Sequence, residues 1–351
     1  MTLDPSRYDV ARLPGDMPPT LTVVVDTEEE FDWSAPFSRQ ARRTRNLAEL
    51  PRFQAICERH GAVPLYVIDH PVACDTAAMR WMRSVRDREA CEIGAHLHPW
   101  VTPPHEERVT SAGSFTCNLP DTLQLAKIDA LTRTIADATG ERPHAFRTGR
   151  YGVGAATFDA LAASGYRTDL SLAPHSGFSA YGGPDFYGWH NRPFWATDDL
   201  LSLPVTTGFS GLARRFGPAL APLLDSPAMQ RLHLPGILAR ARLVERARLT
   251  PEGTSLPEMQ RLIAALVGDG DRLLTLSLHS STLLPGATAY APDVEARDAL
   301  LARLDAVLAW FGQAVGGNLA TVSAIDAAIR SARPRHSPNL KPGPVGSRQT
   351  A

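Results

Sequence analysis

Two histidines two residues apart, His96 and His98, lie in the segment EIGAHLHPW (92–100). In extended backbone, residues i and i+2 point to the same side. Two imidazoles joined by one carboxylate make the three-ligand set of a catalytic zinc, with a fourth position open to water. A carboxylate is at hand in VVVDTEEEFDW (23–33), where Asp26 ends an apolar run and Glu28 follows two residues later. Two further segments carry reactive groups: FRTGRYG (146–152) with Arg147 and Tyr151, and LSLHSS (276–281) with His279. Each has a plainer reading when taken alone. An HxH pair can sit in an exposed loop, an acidic run is usually a solvated face, and an Arg or His after a strand often caps or pairs. Solvation accounts poorly for Asp26, however, because it directly follows Val23, Val24 and Val25. Ser280 and Ser281 lack a Gly-x-Ser-x-Gly elbow and read as supporting groups rather than nucleophiles.

These groups act together only if a fold brings them together. The apolar run at 21–26 and strand-like stretches at 63–69, 91–96, 145–148, 166–171, 201–206, 273–279 and 319–322 predict strands. Helical periodicity predicts helices at 46–60, 76–88, 119–139, 155–164 and 294–311. That βα alternation gives an α/β protein with mainly parallel strands, and eight strand candidates make closure into a barrel the expected architecture. The C-terminal strand ends of such a barrel converge on one mouth, and the polar segments fall at predicted strand ends. Residues 209–266 break the rhythm; they are Arg/Leu/Ala-rich and Pro-interrupted, and predict a helical insertion serving as a cap or partner surface. The expected organisation is an extension over 1–19, a barrel over 20–331 and a disordered tail over 332–351. Trp33, Trp100, Tyr181, Tyr187, Trp189 and Trp195 fall in or near predicted loops, where aromatic faces could stack on sugar rings or simply pack.

Composition narrows the function. Of 351 residues, 36 are Lys or Arg and 37 are Asp or Glu, a formal charge of −1. So even a balance argues against a nucleic-acid or general polybasic-membrane mode. Hydrophobic residues at 44% and charged residues at 21% suit a globular core. No apolar run reaches the roughly 18 residues of a membrane span, and residues 1–19 lack the apolar stretch of a secretory signal. A cytoplasmic protein is expected, with Cys57, Cys74, Cys91 and Cys117 as buried thiols.

The four segments, in this order, resemble the polysaccharide deacetylases, the NodB-homology superfamily of carbohydrate esterase family 4. The family has an acidic pair at the end of strand one, a Glu/Asp-Ile-Gly-x-His segment, an Arg-x-x-Tyr-type turn and a Leu-x-x-His-type strand end. The matching segments span most of residues 20–325. There are departures. Asp26 is followed by Glu28 rather than a nearby Asp, the family's second histidine position holds Trp100 while His98 lies between, and Arg150 replaces the Pro before the turn Tyr. The pattern looks more like a divergent, WalW-like branch. The resemblance implies a NodB-like distorted (β/α) barrel, with a divalent metal, zinc above all, on Glu28, His96 and His98. It further implies Asp26 as general base, Arg147 as its orienting partner, the Tyr151 backbone N–H as an oxyanion donor and His279 as general acid. Asp69-His70 has no family role.

The implied activity is removal of an acetyl group from an acetylated sugar or glycan. Two other readings stay open: hydrolysis of a different non-peptide amide C–N bond at the same site, and a degenerate site in a glycan-binding or scaffold protein. The sequence leaves room for a homo-oligomer or a glycosyltransferase partner.

Overall fold

The structure, a computed structural model, describes residues 3–32 and 35–333. Trp33, and the tail expected to be disordered from residue 334 on, lie outside the described residues. Twelve strands are present among those described: β1 (Asp9–Val10), β2 (Thr20–Thr27), β3 (Leu65–Ile68), β4 (Glu92–Leu97), β5 (Ala145–Thr148), β6 (Thr168–Asp169), β7 (Phe194–Trp195), β8 (Leu201–Ser202), β9 (Thr207–Ser210), β10 (Glu245–Arg248), β11 (Leu273–His279) and β12 (Asn318–Leu319).

Ten of them form one curled sheet in the order β1-β7-β8-β6-β5-β4-β3-β2-β11, with β12 also pairing β2. From β8 to β11 every pairing is parallel. The gap between β8 and β11 is spanned by irregular chain. Val205 N–H donates to Leu172 O, Thr275 N–H to Thr206 Oγ1, and Ser277 N–H to Leu249 O. This is the distorted (β/α) barrel that the resemblance implies, rather than the barrel closed by strand pairing that eight strand candidates alone suggest.

The centre of the sheet is stiff because it is dry. Val23, Val24 and Val25 on β2 and Leu274, Leu276 and Leu278 on β11 are all at most 2% exposed. Fully burying each such side chain contributes about 1.5–3 kcal/mol. Flanking helices cover the outer face, with Phe53, Met82, Ile128, Leu131, Phe158 and Leu304 among the buried contacts. The inner face packs Val24, Leu65, Val67 and Ala145 against Val322, Ile325 and Ile329 of the C-terminal helix Val322–Ala332. The strands' other end, where they carry polar side chains, is left for the site.

The structure departs from the sequence expectation in three places. The 209–266 segment is not helical throughout: β9 and β10 form an antiparallel hairpin around the short helices Gly217–Leu224, Pro227–Arg231 and Leu234–Arg240. The N-terminal residues join the sheet, since β1 pairs with β7 and Tyr8 packs on Phe158, Trp189 and Phe194. Of the four free cysteines only Cys57 and Cys91 are buried; Cys74 is exposed and Cys117 half-buried.

Candidate active site

Strand register builds the site. In the parallel pair β2–β11, His279 lies directly opposite Asp26. In β4–β5, His96 lies opposite Arg147. Asp26, Glu28, His96, His98 and Arg147 are buried at 4% exposure or less, whereas the His279 side chain is 31% exposed. Six of the seven residues singled out in the sequence therefore meet in one cluster.

Its metal-competent part is Glu28, His96 and His98, whose ligand atoms lie within 4.8 Å of one another. Glu28 Oε2 is 3.5 Å from His96 Nε2 and 3.4 Å from His98 Nε2. Both Nδ1 atoms face acceptors: His96 Nδ1 is 3.2 Å from Arg147 O, and His98 Nδ1 is 2.8 Å from Glu29 Oε2. Protonation of Nδ1 leaves each Nε2 lone pair free toward Glu28, the tautomer a metal needs. Burial, the largest influence, pushes the Glu28 carboxyl up to about 7 and the His98 imidazole down to about 4. Four buried carboxyl groups (Asp26, Glu28, Glu29 and Asp69) crowd this space, with Arg147 as the permanent cation among them. Such an excess of desolvated acceptors suits a divalent cation, so the donor set fits the metal that the sequence resemblance implies.

The departure at position 100 has a structural answer. His98 supplies the second imidazole, and Trp100 stacks behind it at 4.2 Å between ring centres and 21° between planes. Trp100 Nε1 donates to Glu29 Oε1 at 2.8 Å, and Glu29 N–H donates to Asp69 Oδ2 at 2.8 Å. Asp69 also caps the turn His70–Ala73 by accepting from Val72 N–H. Glu29 thus holds His98 in place. We expect Glu29→Gln to lower zinc affinity about 10–100-fold, the usual cost of losing a carboxylate behind a ligating histidine. Calorimetric titration with zinc checks this, and unchanged affinity would remove Glu29 from that role.

The second part of the cluster pairs Asp26 with His279. Burial raises the Asp26 carboxyl, but Arg147, His96 and His279 outweigh it and hold it below the ordinary carboxylate value. Arg147 Nη1 donates to Asp26 Oδ1 at 2.5 Å, while its Nε is fixed on Leu170 O. Burial alone would lower the His279 imidazole, but Glu252 and then Glu28 carry it well above its ordinary value. Glu252 Oε2 is 2.8 Å from His279 Nδ1, and His279 Nε2 is 3.7 Å from Asp26 Oδ2. Neighbours whose environments drive their proton affinities apart are the arrangement that divides base from acid.

Tyr151 belongs to the turn Gly149–Tyr151, where Arg150 and Tyr151 adopt positive φ of 56° and 59°. Its hydroxyl accepts from Arg248 Nη1 at 2.7 Å and its ring stacks on Phe178, so its side chain is engaged away from the metal-competent cluster. The turn presses on His98: a Cβ on Gly149 would lie 2.3 Å from His98 Cδ2. Gly149→Ala is therefore expected to displace His98, with a melting-temperature loss corresponding to about 1–3 kcal/mol of overpacking and weaker zinc binding. In a His98→Ala background most of the melting loss should disappear; its persistence would locate the clash elsewhere.

The chain is similar to a candidate polysaccharide deacetylase from Mycobacterium smegmatis at 13% identity, over 97% of this chain and 98% of that one, with a TM-score of 0.55. The fold is that of the polysaccharide deacetylases. It is also similar to PuuE allantoinase (14% identity, 92% and 93% coverage, TM-score 0.49). A third similarity is to the peptidoglycan deacetylase PdaC from Bacillus subtilis (11%, 91% and 95%, TM-score 0.41). No family model and no curated protein matches the sequence. The WalW-like branch remains an expectation of the sequence. Among the described residues, no helix is long and apolar enough to cross a membrane.

Of the two readings of the aromatic residues, packing holds for most of those described. Trp100, Trp189 and Trp195 are buried, and the Tyr187 hydroxyl is tied to Asp225. Tyr181 stays 61% exposed. Glu29, Glu252 and Ser277, whose Oγ accepts from Arg147 Nη2 at 3.3 Å, were not assigned from sequence. Glu29 carried a signal in its place beside Glu28; Glu252 carried none, being in a loop after a strand read as helix.

Proposed function

We propose that the chain is a metal-dependent hydrolase that removes an acetyl group from a sugar or glycan. The observation carrying this reading is the pairing of Asp26, held by Arg147, with His279, held by Glu252, across one strand register, beside the buried Glu28–His96–His98 set. The fold shared with polysaccharide deacetylases supports the substrate class.

Glu28, His96 and His98 would hold the metal. When bound, a divalent ion there supplies Lewis acidity, polarising an acyl carbonyl and easing deprotonation of water. The chain's own residues do the rest. Asp26, kept ionised by Arg147, accepts the proton of the water whose oxygen bonds to the acyl carbon. Arg147 fixes the carboxylate's direction, being itself anchored on Leu170 O. The Tyr151 backbone N–H is the proposed donor to the acyl oxygen as it gains charge. His279 gives its Nε2 proton to the leaving nitrogen or oxygen as the C–N or C–O bond breaks. Glu252 stabilises the imidazolium until that transfer through Nδ1. The products are acetate and the free amine or hydroxyl of the sugar.

The test is acetate release from a panel of N- and O-acetylated saccharides, by protein stripped with chelator and by protein reloaded with zinc. Release restored by zinc is expected. A zinc-loaded protein that releases acetate from none of them would overturn the reading.

A further inference from the structure

The insertion between β9 and β10 has a small core of its own and leaves many large apolar side chains exposed. Phe209, Ala221, Leu224 and Val244 form a small core of their own. Leu212, Phe216, Leu223, Leu232, Ile237 and Leu243 are exposed, at 86, 67, 51, 63, 54 and 40% respectively. These are six of the eleven large apolar side chains exposed among the described residues, gathered within residues 211–244. Leu212 and Leu243 come from opposite ends of the insertion and adjoin: Leu212 N–H donates to Arg242 O and Ala213 N–H to Leu243 O.

The same stretch concentrates positive charge. Residues 211–244 hold five arginines and one aspartate, in a chain whose formal charge is −1. That aspartate, Asp225, is neutralised by Arg246 at 2.5 Å. Arg231, Arg240 and Arg242 are exposed and make no ion pair among the described residues. The even balance of the whole chain conceals this local excess.

Protruding apolar side chains set among unpaired arginines are the surface that binds at a lipid interface, the apolar groups entering the acyl boundary and the guanidiniums meeting anionic headgroups. We propose that the 211–244 insertion is a docking surface for an anionic lipid bilayer. A second copy is the poorer occupant: a two-fold interface sets the same patch on both subunits, so the arginines would face one another. The docking surface is continuous with the site. β10 runs from the insertion into Arg248, which touches Tyr151, and on to Glu252, which holds His279.

Co-sedimentation of the full chain with phosphatidylglycerol/phosphatidylcholine vesicles, and with pure phosphatidylcholine vesicles, tests this. Binding to the anionic vesicles is expected, weakening with salt. Phe216→Asp/Ile237→Asp should lower it by at least about tenfold. Arg231→Ala, Arg240→Ala and Arg242→Ala should each lower it by about fivefold. Unchanged circular dichroism and zinc affinity in these variants would show the fold and the site intact. Equal binding to neutral and anionic vesicles, or no binding to either, would overturn the proposal. So would a concentration-dependent dimer, abolished by Phe216→Asp/Ile237→Asp, in a protein that ignores vesicles; that result would give the face to a second copy.

Discussion

Asp26→Asn should leave the protein folded and metal-binding but lower kcat by about 10²–10⁴-fold, the range for loss of a positioned proton acceptor. The reason lies in the environment of that one carboxylate. It is buried, yet Arg147 and two imidazoles keep it ionised at neutral pH. An amide of the same shape can still accept from Arg147, so the strand ends stay in register, but it cannot take a proton from water. Some stability should be lost, because Arg147 then faces a neutral partner inside the fold. The measurement is acetate release beside metal content and circular dichroism. Wild-type turnover in the variant would mean that the base lies elsewhere.

The second large effect is expected at the histidines. His96→Ala or His98→Ala leaves two of the three donors, and binding should weaken by more than the about 10–100-fold typical of an outer-sphere loss. At micromolar zinc the metal content should fall from near one per chain to near none. His175→Ala is the control. His175 is also buried, with burial pushing its imidazole down to about 4, but it packs against Phe209 away from the cluster. Its loss should leave zinc affinity unchanged. Full zinc content in both His96→Ala and His98→Ala would remove them from the ligand set.

The site was legible in the sequence where strand physics placed it. A polar residue that ends a run as apolar as Val23–Val25 has to point somewhere useful, and parallel strands put such ends side by side. Asp26, His96, Arg147 and His279 were found that way, two-residue spacing in extended chain added His98, and the resemblance to the deacetylases added Glu28. What was not legible depended on contacts between segments far apart in sequence. Glu252 reaches His279 only because β10 leads the chain back to the mouth, and ERAR, half exposed, gives no apolar signal for that strand. β1, β6, β7 and β8 are two residues each, too short for periodicity to register; of these, only the segments 166–171 and 201–206 were read as strands. The choice between sugar stacking and packing for the aromatic residues was open for a related reason. Trp189 and Trp195 sit in loop-like sequence, but the N-terminal residues and Arg330 fold over them, which no local pattern predicts.

The most direct test of the central claim is elemental analysis of the wild-type protein purified without chelator, followed by zinc titration of the stripped protein. The account predicts close to one divalent ion per chain, or one zinc taken up, and its loss in His96→Ala/His98→Ala. A folded wild-type protein that holds no metal and takes up none would contradict it, and would leave Glu28, His96 and His98 as a buried polar network on a deacetylase fold.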